Sequence, residues 1–154
     1  RLAALADSVS SSPYKLPKVM RESSEFSFSG LKTAISLLVK REGEITEQKR
    51  AELSFAIQDS IVDALLFKLK TAIKQSGINQ VVVSGGVAAN RTLRAKVGEL
   101  SGIRSYFPAM RHSTDNGAMI AYLAAQRFMR GERDSLDVEA LARWPVEGIS
   151  INAR

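Results

Sequence analysis

The amino-acid sequence predicts a helix-rich α/β fold with few strands, and three features carry that expectation. The run Val81-Val82-Val83 leads into Ser84-Gly85-Gly86, a stretch of consecutive apolar residues of the kind buried on both faces of a sheet. From there the pattern alternates strand, helix, strand, helix, an order that builds a parallel sheet with helices packed on it. Ahead of it lies an apolar repeat at four-residue intervals, Leu53, Ile57, Ile61, Leu65, Leu69 and Ile73, which is the stripe of one long helix.

Taken in order, residues 1–25 form a connector, with a serine run, two prolines and a short apolar helical turn at Leu2 to Leu5. Such a segment buries little by itself and should drape over a neighbour. A first amphipathic helix runs from Ser29 to about Arg41, with Leu31, Ile35 and Leu38 on one face, Ser27 or Ser29 as its N-cap and Gly43 at its end. Thr46 caps the long helix, whose stripe is widened by Ala56, Val62, Leu66 and Ala72. Roughly thirty residues make a rod of about 45 Å. Gly77 stops it, and Lys68, Lys70 and Lys74 suit the negative pole of its dipole.

A strand over Gln80–Ser84, a helix over Ala88–Leu100, a strand at Arg104–Phe107 and a helix over Asn116–Arg130 follow. The tail "SLDVEALARW" suggests one more short helix before Pro145, with Trp144 pinning it by packing. Two strands are too few for a stable open sheet, which normally needs three or more. Either the first 80 residues hold further strands, or the sheet is completed by chain outside this sequence.

Composition narrows the function. The chain has 154 residues, 45% hydrophobic and 25% charged, which is enough for the core of one domain. With no cysteine, neither a disulfide framework nor a thiolate metal site is possible. No apolar run reaches the length of a membrane span and no signal-peptide core precedes the domain, so a cytoplasmic protein without a membrane partner is expected. The start at Arg1 rather than Met fits a processed product or a piece of something longer. A formal charge of +6 favours nucleic acid or nucleotides as partners, although scattered Lys and Arg on a solvated face give the same balance.

Two loops could carry chemistry. In open α/β sheets ligands sit beyond the carboxyl ends of the strands, and glycines there let backbone amides approach a phosphate or sugar. Gly85 and Gly86 occupy such a place, and Asn90 offers a carboxamide at the start of the next helix, beside an anion-favouring terminus. The same residues also make an ordinary tight turn with Asn90 as a cap. The second loop holds Ser113, Thr114 and Asp115 ahead of an apolar helix. Asp115 or Thr114 could simply cap that helix, or Asp115 could act as a metal ligand or a phosphate–metal bridge at the same sheet edge. His112, the one histidine, suits a surface or phosphate-proximal position rather than catalysis. Ser84 lies outside any nucleophile elbow, and no catalytic residue is assigned.

Four segments in order, "FSFSGLKTAI" (26–35), "VVVSGGVAANRTLR" (81–94), "STDNGAMIA" (113–121) and "RWP" (143–145), together resemble one family. They are similar to the tRNA threonylcarbamoyladenosine transferases of the bacterial TsaD type, once labelled O-sialoglycoprotein endopeptidases. The resemblance implies a two-lobed actin-like ATPase (ASKHA) fold, with residues 26–154 as part of its C-terminal lobe. It implies transfer of a threonylcarbamoyl group from threonylcarbamoyl-AMP to N6 of the adenosine 3′ of the tRNA anticodon, alongside partner subunits. Gly85, Gly86 and Asn90 would hold ATP or the acyl-adenylate. Asp115 would supply one ligand to an Fe or Zn ion acting as a Lewis acid. The family's His-x-x-x-His motif and a further glycine loop lie upstream of this chain, which should therefore be inactive without that first lobe. Two other readings stay open: a different carbamoyltransferase or kinase of the same fold, and a non-catalytic, nucleotide-responsive scaffold lobe.

Overall fold

The computed structural model describes residues 2–17 and 27–137. The tail helix expected before Pro145, Trp144 and the "RWP" segment lie outside the described residues. The chain divides into two compact units, residues 1–115 and residues 116–154.

The first unit is built on one helix. Helix α1 (Leu2–Ala6) packs on the long α3 (Glu47–Ser76), and α2 (Ser29–Glu42) precedes α3 in the chain. At its start α3 is held by the Thr46 hydroxyl, which accepts from the Lys49 amide at 3.3 Å. At its end Gly77 takes the left-handed conformation (φ 68°) and its amide donates to the Ile73 carbonyl at 2.9 Å. Both ends were legible in the sequence. The serine cap expected for α2 is not formed: Phe28 occupies the cap position, where no side chain makes the cap hydrogen bond, and the Ser27 and Ser29 hydroxyls pair with each other at 3.0 Å.

The stripe on α3 also differs from expectation. Leu53, Ala56, Val62 and Leu66 are buried, but Ile57, Ile61, Leu65, Leu69 and Ile73 are only half-buried and Ala72 is exposed. The buried set includes Ala51, Ser54 and Gln58, displaced around the helix from the four-residue repeat. The reason is geometric, since α3 has neighbours on more than one side. Helix α1 meets its first half, α4 (Arg91–Gly98) meets its middle, and Ile61 helps Phe28, Leu31 and Ile35 of the α2 region line an apolar groove.

Strands β1 (Gln80–Val82) and β2 (Arg104–Tyr106) pair in parallel, Gln80 with Arg104, Val81 with Ser105 and Val82 with Tyr106. They form the two-stranded sheet of the described residues. One face closes over a core of Val62, Leu66, Leu93 and Val97, packed by Val83, Leu100 and Phe107. The opposite face is open, with Val82 75% and Tyr106 43% exposed. The expectation of a strand buried on both faces therefore fails within this chain, because nothing among the described residues of the first unit covers that side. The expected helix over 88–100 is also broken. A 3-10 turn, Gly86–Ala89, comes first, and Asn90 in extended conformation separates it from α4.

Of the expected connector, residues 2–16 lie along α3, and residues 18–25 fall outside the described residues. Residues 2–16 are fastened at Tyr14, whose hydroxyl donates to Glu42 at 3.2 Å, while Lys49 pairs with the same carboxylate at 3.1 Å. The Lys49 ammonium, ahead of the Tyr14 hydrogen bond, holds Glu42 below the usual carboxylate range. Lys49 is raised by Glu42, and Tyr14 is raised by burial and then by its bond to Glu42. A carboxylate easier to ionise in the folded chain contributes stability above its unfolded pKa of 4.5, lost as pH falls through the lower folded value. The raised tyrosine and lysine keep their contributions up to their ordinary values of 10.0 and 10.5 and lose them as pH rises through the folded ones. The fastening should thus be flat between about pH 5 and 10. Limited proteolysis within residues 7–17 should accelerate on acidification below that window in wild type, whereas Glu42→Gln should be cut quickly throughout.

In the second unit, α5 (Gly117–Met129) is capped by Asn116, whose Oδ1 accepts from the Met119 amide at 3.1 Å. The cap is thus Asn116 rather than Thr114 or Asp115. At the far end the Arg133 guanidinium lies 3.7 Å from the Phe128 ring centroid and Arg127 pairs with Glu132 at 2.6 Å. No helix of the described residues is long and apolar enough to cross a membrane.

Candidate functional site

Two parallel neighbours carry their exit loops to the same sheet edge, so the register of β1 and β2 alone brings the Ser84–Asn90 turn beside the loop that follows Tyr106. Gly85 has φ 90° and ψ 176°, a conformation open in practice only to glycine. It turns the chain from strand to 3-10 turn, where the Ala88 amide returns to the Gly85 carbonyl at 2.9 Å. Gly86 has no such demand on it, and a Cβ built there meets nothing within 4 Å. Ser84, Gly85, Gly86 and Val87 are all exposed, so the turn presents its backbone outward.

Asn90 closes the turn. Its Oδ1 accepts from the Leu93 amide at 2.8 Å, the N-cap bond of α4, and its Nδ2 donates to Gln58 Oε1 at 2.7 Å. Gln58, 6% exposed on α3, passes its own amide hydrogens to Thr92 Oγ1 at 3.1 Å and Asp7 Oδ1 at 3.4 Å. One carboxamide pair thus ties α1, α3 and α4 at the foot of the turn. Asn90→Ala should cost about 1 kcal/mol for the cap and about 1 kcal/mol more for the orphaned Gln58 oxygen. Asn90→Asp, which keeps the cap, should restore about half in chemical denaturation.

The second loop is held by Ser113, which is 2% exposed and donates to the Ala109 carbonyl at 3.3 Å. Arg94 joins the loops: Nε donates to the Ala88 carbonyl at 2.5 Å, and Nη2 donates to the Pro108 carbonyl at 2.7 Å and to Ser113 Oγ at 2.9 Å. Asp115 follows two residues on, within about 7 Å of chain from Ser113. It is exposed and has no hydrogen-bond or ion-pair partner among the described residues. His112 is exposed and accepts from Arg111 Nε at 3.0 Å.

Of the residues singled out in the sequence, then, Gly85, Gly86 and Asn90 share one turn, and Asp115 lies on the adjoining loop. No group of three or more His, Cys, Asp or Glu able to hold a metal occurs among the described residues. Among the described residues Asp115 offers one hard oxygen ligand, and a metal held there would need others from beyond them. Arg94 and Gln58 escaped the sequence reading. Arg94 stood in the glycine segment itself, four residues after the cap, and Gln58 was a polar residue within the apolar periodicity.

A glycine turn and a second loop joined at the carboxyl edge of a parallel sheet define a helix-rich α/β unit of the ligand-binding layout. A family model described as TsaD, tRNA N6-adenosine threonylcarbamoyltransferase, matches residues 1–122. The curated tRNA N6-adenosine threonylcarbamoyltransferase of Legionella pneumophila strain Corby is 44% identical over 151 residues, covering 94% of this chain and 45% of the relative. That of Legionella pneumophila subsp. pneumophila strain Philadelphia 1 is 44% identical over 152 residues, with coverage of 94% and 45%. The chain belongs to the tRNA N6-adenosine threonylcarbamoyltransferase family and spans somewhat less than half the length of these relatives.

Proposed function

We propose that this chain is part of the C-terminal lobe of a two-lobed, actin-like transferase that moves a threonylcarbamoyl group from threonylcarbamoyl-AMP to N6 of the adenosine 3′ of the tRNA anticodon. The observation that carries the reading is the Arg94-joined pair of loops in a chain of this family: an outward-facing glycine backbone on one loop and, on the other, a carboxylate unpaired among the described residues. In the reaction the N6 amine attacks the carbamoyl carbon, the new N–C bond replaces the C–O bond to AMP, AMP leaves as an anion, and the amine loses a proton.

The residues of this chain bind and orient. Gly85 and Gly86 offer backbone to the phosphates or ribose of ATP or the acyl-adenylate, and Asn90 fixes the end of their turn. Asp115 holds an Fe or Zn ion together with ligands from the first lobe; when bound, such an ion supplies Lewis-acid polarisation. A charge of +6 suits contact with tRNA, and partner subunits of the transfer complex and a cytoplasmic setting go with the same reading.

The test is incorporation of labelled threonylcarbamoyl into tRNA by the full-length protein with its partner subunits and threonylcarbamoyl-AMP. Labelled tRNA is expected from the whole protein and none from residues 1–154 alone. No incorporation by the whole would sink the transferase reading, and turnover by the isolated chain would sink its dependence on a first lobe.

A further inference from the structure

We infer that Arg94 is a positioning residue that couples the nucleotide turn to the metal-ligand loop, an inference that rests on the function proposed above. The guanidinium reaches three partners on two separate loops: the Ala88 carbonyl at the end of the glycine turn, and the Pro108 carbonyl and Ser113 hydroxyl ahead of Asp115. It lies 4.9 Å from the Phe107 ring centroid, which keeps its plane against the edge of the core. Ser113 is committed as well, since its hydroxyl donates to Ala109 while accepting from Arg94. Neither loop can shift without breaking a bond to the same planar fork.

The choice of partners adds to this. All three are neutral oxygens, whereas a structural arginine in a half-buried place is more economically held by a carboxylate. Its charge therefore stays unneutralised by those contacts, between the turn proposed for an anionic nucleotide and the loop carrying Asp115. Two sites that share one rigid strut bias each other's geometry, and such coupling must be reciprocal.

The experiment uses the full-length protein and two probes, ATP and the metal that co-purifies with it. The dissociation constant for ATP is measured metal-loaded and after removal of the metal by a chelator, well below the melting temperature, for wild type, Arg94→Ala, Arg94→Lys and Ser113→Ala. Wild type is expected to change its ATP affinity about fivefold or more on metal loading, as coupled sites do. Arg94→Ala should bring that ratio close to one, and Arg94→Lys, which keeps the charge and loses the fork, should restore only a fraction. Ser113→Ala should lower it by about half and carries the test if the alanine variant at Arg94 does not fold.

A melting temperature lowered in the Arg94 variants with the ratio unchanged would overturn the inference and leave only a structural role. Wild type that binds ATP and metal without influence of one on the other would overturn it too, while the function stands. Wild type that binds neither would remove the function itself.

Discussion

In the full-length protein, Gly86→Val is expected to raise the dissociation constant for ATP ten- to hundredfold, about 1–3 kcal/mol of overpacking, while leaving the melting temperature essentially unmoved. Gly86 is not in the left-handed region and a Cβ added there meets no atom within 4 Å, so this chain by itself gives no reason for glycine. If a nucleotide approaches the backbone, the added side chain fills the space the ligand needs. Gly85→Val is the contrasting control, because φ 90° strains any L-residue whatever the space. It should cost about 1–3 kcal/mol of stability as well as affinity. Isothermal titration beside thermal melts separates the two positions. An unchanged affinity in Gly86→Val would mean that the turn is only a turn.

If Asp115 ligates a metal as proposed, Asp115→Ala should strip that metal from the full-length protein, cutting its affinity by more than the 10–100-fold that loss of a ligand's outer-shell partner costs. The carboxylate is exposed and unpaired among the described residues, so its removal breaks no bond within them. As the residue before the Asn116 cap it has a bland use, complementing the positive end of α5, worth about 0.3–1 kcal/mol. Asp115→Asn keeps the shape and removes the charge. Metal content by mass spectrometry should fall steeply in the alanine variant, with a melting temperature close to wild type. Stoichiometric metal in Asp115→Ala would defeat the assignment, and a small loss of stability alone would leave the helix-end role.

Much of the fold was legible because its signals are local. Thr46 and Gly77 bound α3 where capping chemistry puts them, and the alternation after Gln80 yielded two parallel strands. The failures were equally physical. An apolar period of four said that α3 is amphipathic but not which neighbours it has, and three of them turn its buried set toward Ala51, Ser54 and Gln58. Two serines at the start of α2 looked equivalent to a capping pair, yet a hydroxyl bonds whatever donor or acceptor stands nearest, and each found the other.

For the candidate site the division is sharper. The sequence by itself determined the family, the glycine turn with Asn90 at its end, and a lone acid ahead of an apolar helix, because residue types and spacings along the chain carry all of these. Only the tertiary structure decided that Asn90 is anchored through Gln58, that Gly86 faces open space, and that Arg94 spans from Ala88 to Ser113. Those facts depend on which faces meet once α3, α4 and two strands pack around Val62, Leu66, Leu93 and Val97. A backbone carbonyl looks the same at every position of a sequence, so an arginine's partners appear only when the chain has folded around it.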